Sequence, residues 1–190
     1  MKFLIPAVVM ASVAAMAADR FIEGSQHSPV RVLIYEDLQC PDCADFRHML
    51  DERLLPKYGT QVSFEHRDFP LAKHAWARKA AVAARFFDEE SGIGAEFRRY
   101  CFEHQAEIDA SNFPDKLAAF AKNKGLDAAK ASSALEDAQL NSLVEKDFQD
   151  GVARGIAHTP TLLVGGQAFV EHFTLEEVSK AIDAEIAAFK

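Results

Sequence analysis

Cysteine is scarce in this chain: Cys40, Cys43 and Cys101 are the only three among 190 residues. Three thiols cannot build a disulfide framework, so the fold must rest on its apolar core. Hydrophobic residues make up 49% of the chain, enough to fill one core at this length. Positive charge is also short. Against 21 lysines and arginines stand 29 aspartates and glutamates, a formal net charge of −8. That acidic balance argues against nucleic-acid binding, which usually needs a basic surface, and no nucleic-acid partner is expected. Beyond the first residues no run is apolar enough to cross a bilayer, and no repeat or low-complexity segment occurs.

The opening residues have the pattern of an export signal. Lys2 precedes a nearly continuous apolar stretch from Phe3 to Met16, and Ala15-Met16-Ala17 meets the small-x-small rule for cleavage. A signal peptide is expected over residues 1–18, cut between Ala17 and Ala18, with the remainder periplasmic or otherwise exported. The stretch is short for a membrane span, an uncleaved anchor being the alternative. An exported chain with one close cysteine pair and one odd cysteine points to redox chemistry or metal binding.

Val30 to Tyr35 is β-branched and apolar and reads as a buried strand, with Pro29 just before it. Cys40-Pro41 then opens a helix to about Leu55. Phe46, Met49, Leu50 and Leu54 form its apolar stripe, and Pro56 is expected to end it. Gln61 to Arg67 alternates as a second strand, Val62 and Phe64 on one side, Ser63 and Glu65 on the other. A helical region follows from about Ala72 to Arg154. Breaks fall at Gly92 and Gly94, Pro114 starts a helix that ends at Gly125, and Asp127 caps the next. Thr161 to Val164 and Gln167 to Val170 flank Gly165-Gly166, a two-residue hairpin signal. Thr174 to Phe189 closes the chain as a helix, with Thr174 and Glu177 at capping-box spacing. Strand–helix–strand predicts a parallel pair, and the hairpin adds antiparallel strands. The fold class is α/β, with a helical block too long to be a simple crossover.

Cys40-Pro41-Asp42-Cys43 lies between the first strand and its helix. Proline is tolerated at the first helical position. Cys40 then sits at the positive end of the helix dipole, beside unpaired N–H groups, where a thiolate is stabilised. Cys43, one turn on, is placed to close a disulfide with it. A structural zinc site wants four ligands, usually with a second close-spaced pair, and the sequence has no second Cys-x-x-Cys. A single pair can still hold copper(I), so an exported copper or zinc carrier remains the alternative reading.

The chain resembles the DsbA-type thioredoxin-like proteins. The resemblance rests on Gln39-Cys40-Pro41-Asp42-Cys43, Phe64 to Pro70, a helical block, Thr159-Pro160-Thr161 and Gly165-Gly166-Gln167, and covers about Ser28 to Lys190. It implies a thioredoxin-like domain from residues 19–71 and 156–190, interrupted by a helical subdomain at 72–155. It implies a thiol–disulfide oxidoreductase. Cys40 is the attacking thiolate, Cys43 the resolving thiol, and no organic cofactor is used because the dithiol carries the electrons. Pro160 is implied to be cis and to face the pair, with the backbone of Thr159 pairing with the substrate chain. The implied partners are unfolded or cysteine-containing exported proteins and a membrane or soluble redox partner.

Departures from the family pattern matter. Strongly oxidising members carry histidine where this chain has Asp42. An anion there disfavours the Cys40 thiolate and predicts a higher Cys40 pKa than theirs. Oxidase action is implied by the resemblance, reductase or isomerase action by Asp42. His158 stands where relatives often have a small residue; it reads either as a neighbour of Cys40 that offsets Asp42 in part or as an exposed loop histidine. Ile34 occupies the place of a buried glutamate; Glu36 and Asp37 are the nearest substitutes, and strand parity puts neither reliably under the pair. Cys101 reads as a small buried apolar residue, with a regulatory or intermolecular thiol as the alternative. His66, His74 and Trp76 read as packing or surface residues.

Overall fold

A computed structural model describes residues 21–189; the expected signal peptide and its cleavage site lie outside them. Five strands form one sheet: β1 (Phe21–Gly24), β2 (Arg31–Glu36), β3 (Ser63–Asp68), β4 (Thr161–Val164) and β5 (Gln167–Val170). Their spatial order is β1-β3-β2-β4-β5. The β2–β3 pair is parallel, as strand–helix–strand predicts, and the other pairs are antiparallel. β1 was not expected from the sequence. Its four residues are too few to show a period, and it is an edge strand whose identity comes from pairing with β3.

α1 (Pro41–Met49) follows β2 and passes through a π-helical stretch, Leu50–Leu54, into α2 (Leu55–Tyr58). Pro56 therefore does not end the helix near Leu55 as expected. The Leu55 N–H reaches back five residues to the Leu50 carbonyl, and that shift in the ladder accommodates a residue with no N–H to give. β3 starts two residues later than expected, and its polar face is not solvated. Ser63, Glu65 and most of Arg67 are covered, so the strand is buried on both sides.

Between β3 and β4 run α3 (Ala77–Ser91), α4 (Gly94–Glu103), a 3₁₀ turn (Gln105–Glu107), α5 (Phe113–Asn123), α6 (Ala128–Ala134) and α7 (Ala138–Ala153). Asp127 caps α6 as predicted, accepting from the N–H groups of Ala129 and Lys130. α8 (Leu175–Ala188) opens on the expected capping box of Thr174 and Glu177. No helix among the described residues is long and apolar enough to cross a membrane.

One core lies between the sheet and α1, α2 and α8, where Val32, Ile34 and Phe64 meet Phe46, Leu50, Leu54, Val178 and Ile182. A second fills the helical block around Trp76, Phe87, Phe97, Phe113 and Leu117, and it reaches Cys40 and Cys43. Buried ion pairs tie the block to the sheet. Arg98 of α4 donates to Glu36 (3.0 Å) and Asp68 (2.5 Å). Arg85 of α3 reaches Asp68 (2.6 Å) and Asp147 of α7 (2.5 Å). His66 stands between Glu36 (2.9 Å) and Glu23 (3.0 Å).

Candidate active site

The site begins where β2 runs out. Asp37 folds the chain back: its Oδ1 accepts the Gln39 N–H (2.7 Å), and its carbonyl accepts the Cys40 N–H (3.0 Å). Cys40 is left in extended conformation as the N-cap of α1, with Pro41 at the first helical position. The Cys40 carbonyl takes the N–H groups of Cys43 (3.1 Å) and Ala44 (3.2 Å), which starts the helix. Gln105, from the 3₁₀ turn, donates through Nε2 to the carbonyls of both Leu38 and Cys40 at 3.0 Å. The block thus clamps the loop from its far side.

β2 and β4 are neighbours, with Tyr35 opposite Thr161, so the segment before β4 arrives beside the N-terminus of α1. The Thr159–Pro160 peptide is cis. The Cys40 thiol donates to the Thr159 carbonyl at 3.2 Å. Thr159 is buried, and its own hydroxyl then has no partner. If Cys40 ionises, its sulfur becomes an acceptor, and that hydroxyl is a donor at hand.

The two thiols have opposite environments. Cys40 is pulled from 9.0 to about 6, first by a hydrogen bond from the Cys43 thiol, then by the Thr159 side chain and the N–H groups of Cys43 and Asp42, against the cost of burial. Cys43 is pushed well above its ordinary value by burial and by the neighbouring Cys40. Its sulfur accepts the Asp37 N–H at 3.4 Å. Cys40 is 5% exposed and Cys43 0%, so only the first sulfur can be met from outside. Both are free thiols in this structure.

Cys40, Pro41, Asp42, His158 and Thr159 line one cavity of about 350 Å³. His158 is exposed, and its Nδ1 lies 3.0 Å from Glu171 Oε1. Any positive charge on it is therefore matched by a carboxylate. Glu171 follows β5 with a left-handed backbone, φ 53°, and its N–H bonds to the Pro160 carbonyl (2.9 Å). Nothing in the sequence marked Glu171, because its place depends on the return of the hairpin. His74 lines the same cavity, a position that packing periodicity could not reveal. Ile34 is buried in the sheet core. Glu36 shares its face of β2 but is engaged by His66 and Arg98. Cys101 is fully buried in the helical core, where desolvation pushes its thiol up. It reaches no part of the cavity.

The sequence profile of the family described as Thioredoxin matches residues 17–184. Among curated proteins, the chain is 28% identical over 168 residues to Na(+)/H(+) antiporter NhaA 3 of Salinispora tropica, covering 88% of this chain and 25% of that protein. The chain spans about a quarter of the length of the curated relatives it matches. Among solved structures, oxidised BdbD from Bacillus subtilis superposes with a TM-score of 0.79 at 22% identity, covering 89% of this chain and 94% of that one. The thiol-disulfide exchange protein alpha-DsbA2 from Wolbachia pipientis gives 0.71 at 22% identity, covering 86% of each chain.

Proposed function

Because the chain belongs to the thioredoxin family, we propose that it is a thiol–disulfide oxidoreductase acting on exported, cysteine-containing proteins. Its fold is thioredoxin-like, and in this reading residues 72–155 are a helical subdomain inserted into a domain made of 19–71 and 156–190. The observation that carries the reading is the asymmetry of the pair. Cys40 caps α1 with its thiol held near pH 6, and Cys43 lies one turn behind, buried and held protonated. A readily ionised thiol on the cavity wall backed by a reluctant one is what directional exchange needs.

Cys40 is the attacking sulfur and Cys43 resolves the mixed disulfide. Pro41 starts the helix without losing a backbone bond. Asp42 sets the pair toward a less oxidising poise, and His158, paired to Glu171, shapes the rim. Thr159 offers its backbone to the substrate chain next to Cys40, held there by Pro160. The dithiol carries both electrons, so no organic cofactor is required. A membrane or soluble partner returns the pair to its working redox state in the periplasm or an equivalent exported compartment.

Equilibration with glutathione buffers tests this. A potential of about −120 to −180 mV makes the protein a disulfide donor or shuffler, and about −270 mV makes it a reductase. Failure of the pair to equilibrate, with stoichiometric copper or zinc surviving dialysis, would overturn the reading.

A further inference from the structure

Behind the cavity at Cys40 lies a second pair of groups that the exchange chemistry above does not use. Asp37 is buried, and its carboxylate is fixed by two backbone donors, Gln39 N–H on Oδ1 and Leu71 N–H on Oδ2, both at 2.7 Å. Oδ2 also lies 2.8 Å from His74 Nδ1. A carboxylate at Nδ1 holds the proton on that nitrogen and leaves Nε2 as the basic one. The His74 backbone is anchored beside it, its N–H bonding to Leu71 O (2.9 Å). It forms part of the same cavity wall as Cys40 and Thr159. Asp37 also connects to the far sulfur, because its N–H is the donor to Cys43. One residue therefore anchors both the imidazole and the resolving cysteine.

We propose that His74, oriented by Asp37, takes the proton from the substrate thiol as that thiol attacks Cys40. The proposal rests on the oxidoreductase reading and adds the base that reading lacks. In the oxidised protein the substrate S–H proton passes to His74 Nε2. The substrate thiolate forms a bond to Cys40 Sγ while the Cys40–Cys43 bond breaks, its electron pair leaving on Cys43 beside the Asp37 N–H. A second substrate thiol then attacks the substrate sulfur of the mixed disulfide, and Cys40 departs as thiolate. The substrate loses two electrons and two protons. The pair gains both electrons, one proton ends on Cys43, and the other leaves through the imidazole to solvent.

A free thiol has a pKa of about 8.5, so at mildly acid pH nearly all substrate thiol is protonated and a base matters most. Above that pH the substrate ionises unaided. The charged and titratable groups around His74 are Asp37 behind it and Cys40, Asp42, Lys73, His158 and Glu171 around the cavity.

The test is single-turnover oxidation of a dithiol peptide by the oxidised full-length protein, wild type against His74→Gln and His74→Ala, from pH 6 to 9. Both variants should be slower by roughly 100-fold at pH 6, the low end for general base catalysis. The gap should close toward pH 9, and added imidazole should restore part of the His74→Ala rate at pH 6. Rates within twofold of wild type at pH 6 overturn the proposal. So does a deficit that is constant with pH and insensitive to imidazole, which would mark a packing role. A wild-type disulfide that exchanges neither with the peptide nor with glutathione overturns the oxidoreductase reading, and this proposal with it; one that exchanges with glutathione but not with the peptide overturns this proposal alone.

Discussion

The thiol of Cys40 and the carbonyl oxygen of Thr159 are 119 residues apart in sequence and 3.2 Å apart in space. The sheet brings them together. Cys40 follows the end of β2, Thr159 precedes the start of β4, and those strands are hydrogen-bonded neighbours. The helical block leaves β3 and returns at β4, so however large it is, it does not disturb this meeting.

The Cys40 thiol is pulled to about 6 while Cys43 is pushed up. Alkylation of the reduced protein with iodoacetamide should therefore follow one ionisation near pH 6 and modify Cys40 alone. The leading cause is the hydrogen bond from Cys43. Cys43→Ala should accordingly shift the inflection upward. A single inflection near the ordinary value of a free cysteine in the wild type would contradict the geometry.

The same shift makes the reduced protein's stability depend on pH. Cys40 ionises more readily folded than unfolded, so the thiolate adds stability above its unfolded value of 9.0, and that stability is lost as pH falls through about 6. The disulfide form has neither thiol: Cys43, pushed up in the folded state, begins to oppose the trend only as pH approaches its unfolded value of 9.0, and the remaining titrating groups are common to both. The melting temperature of the reduced form relative to the oxidised form should rise steadily between pH 6 and 9. Paired thermal melts at pH 5, 7 and 8.5 check this, and a flat difference would refute it.

Asp42 stands one residue beyond Pro41 in the first turn of α1, on the wall of the cavity with Cys40. Replacing it by histidine exchanges an anion for a group that can be a cation. Its backbone N–H, which itself favours the thiolate, is unchanged. Asp42→His should lower the Cys40 pKa further and make the pair more oxidising, by about 30 mV for each unit. Glutathione equilibration of wild type and variant measures it directly.

Much of this arrangement was legible in the residues. Proline after Cys40, the glycine pair at 165 and 166, and the Thr174–Glu177 spacing each act locally, and each element formed where the local chemistry placed it. What sequence reasoning missed depends on tertiary context. β1 exists through its pairing with β3, and α2 continues past Pro56 because a π-helical shift absorbs the missing donor. His74 and Glu171 approach Cys40 from residues that carry no periodic signal. Glu65, on the side of β3 opposite Val62 and Phe64, lies beside Arg31 and Arg67, a buried ion-paired face that alternation alone does not reveal.

Arg98 is the buried cation shared by Glu36 and Asp68. Arg98→Met should cost roughly 3–5 kcal/mol, because two buried carboxylates lose a partner. Both carboxyls are held below their ordinary range: burial opposes this, but His66 and Arg98 outweigh it at Glu36, and Arg98 and Arg85 at Asp68. Their contribution is full at neutral pH and disappears as pH falls through their folded values. Without the Arg98 charge the two buried carboxyls of the variant take up protons at higher pH than those of the wild type, so the loss should be larger at pH 7 than at pH 4, which urea denaturation at both would show. Equal losses would mean that Arg98 acts through packing alone.

Gly151 lies inside α7, where it passes over Phe69. A Cβ at that position would come within 2.6 Å of the Phe69 ring and 3.1 Å of Tyr35. Phe69 has little room to retreat, because it is stacked on Phe148 (4.8 Å) and meets Tyr35 edge-on (6.1 Å). Tyr35 is in turn held to Asp150 through its hydroxyl (2.5 Å). Helix propensity alone favours alanine over glycine by about 1 kcal/mol. Here overpacking should reverse the sign, and Gly151→Ala should destabilise by about 1–3 kcal/mol in urea denaturation. Val152→Ala, on the exposed side of the same helix, should stay within about 0.5 kcal/mol. A stabilised Gly151→Ala would mean that α7 can lift from the sheet without loss, which the buried Asp147 pairs to Arg67 and Arg85 argue against.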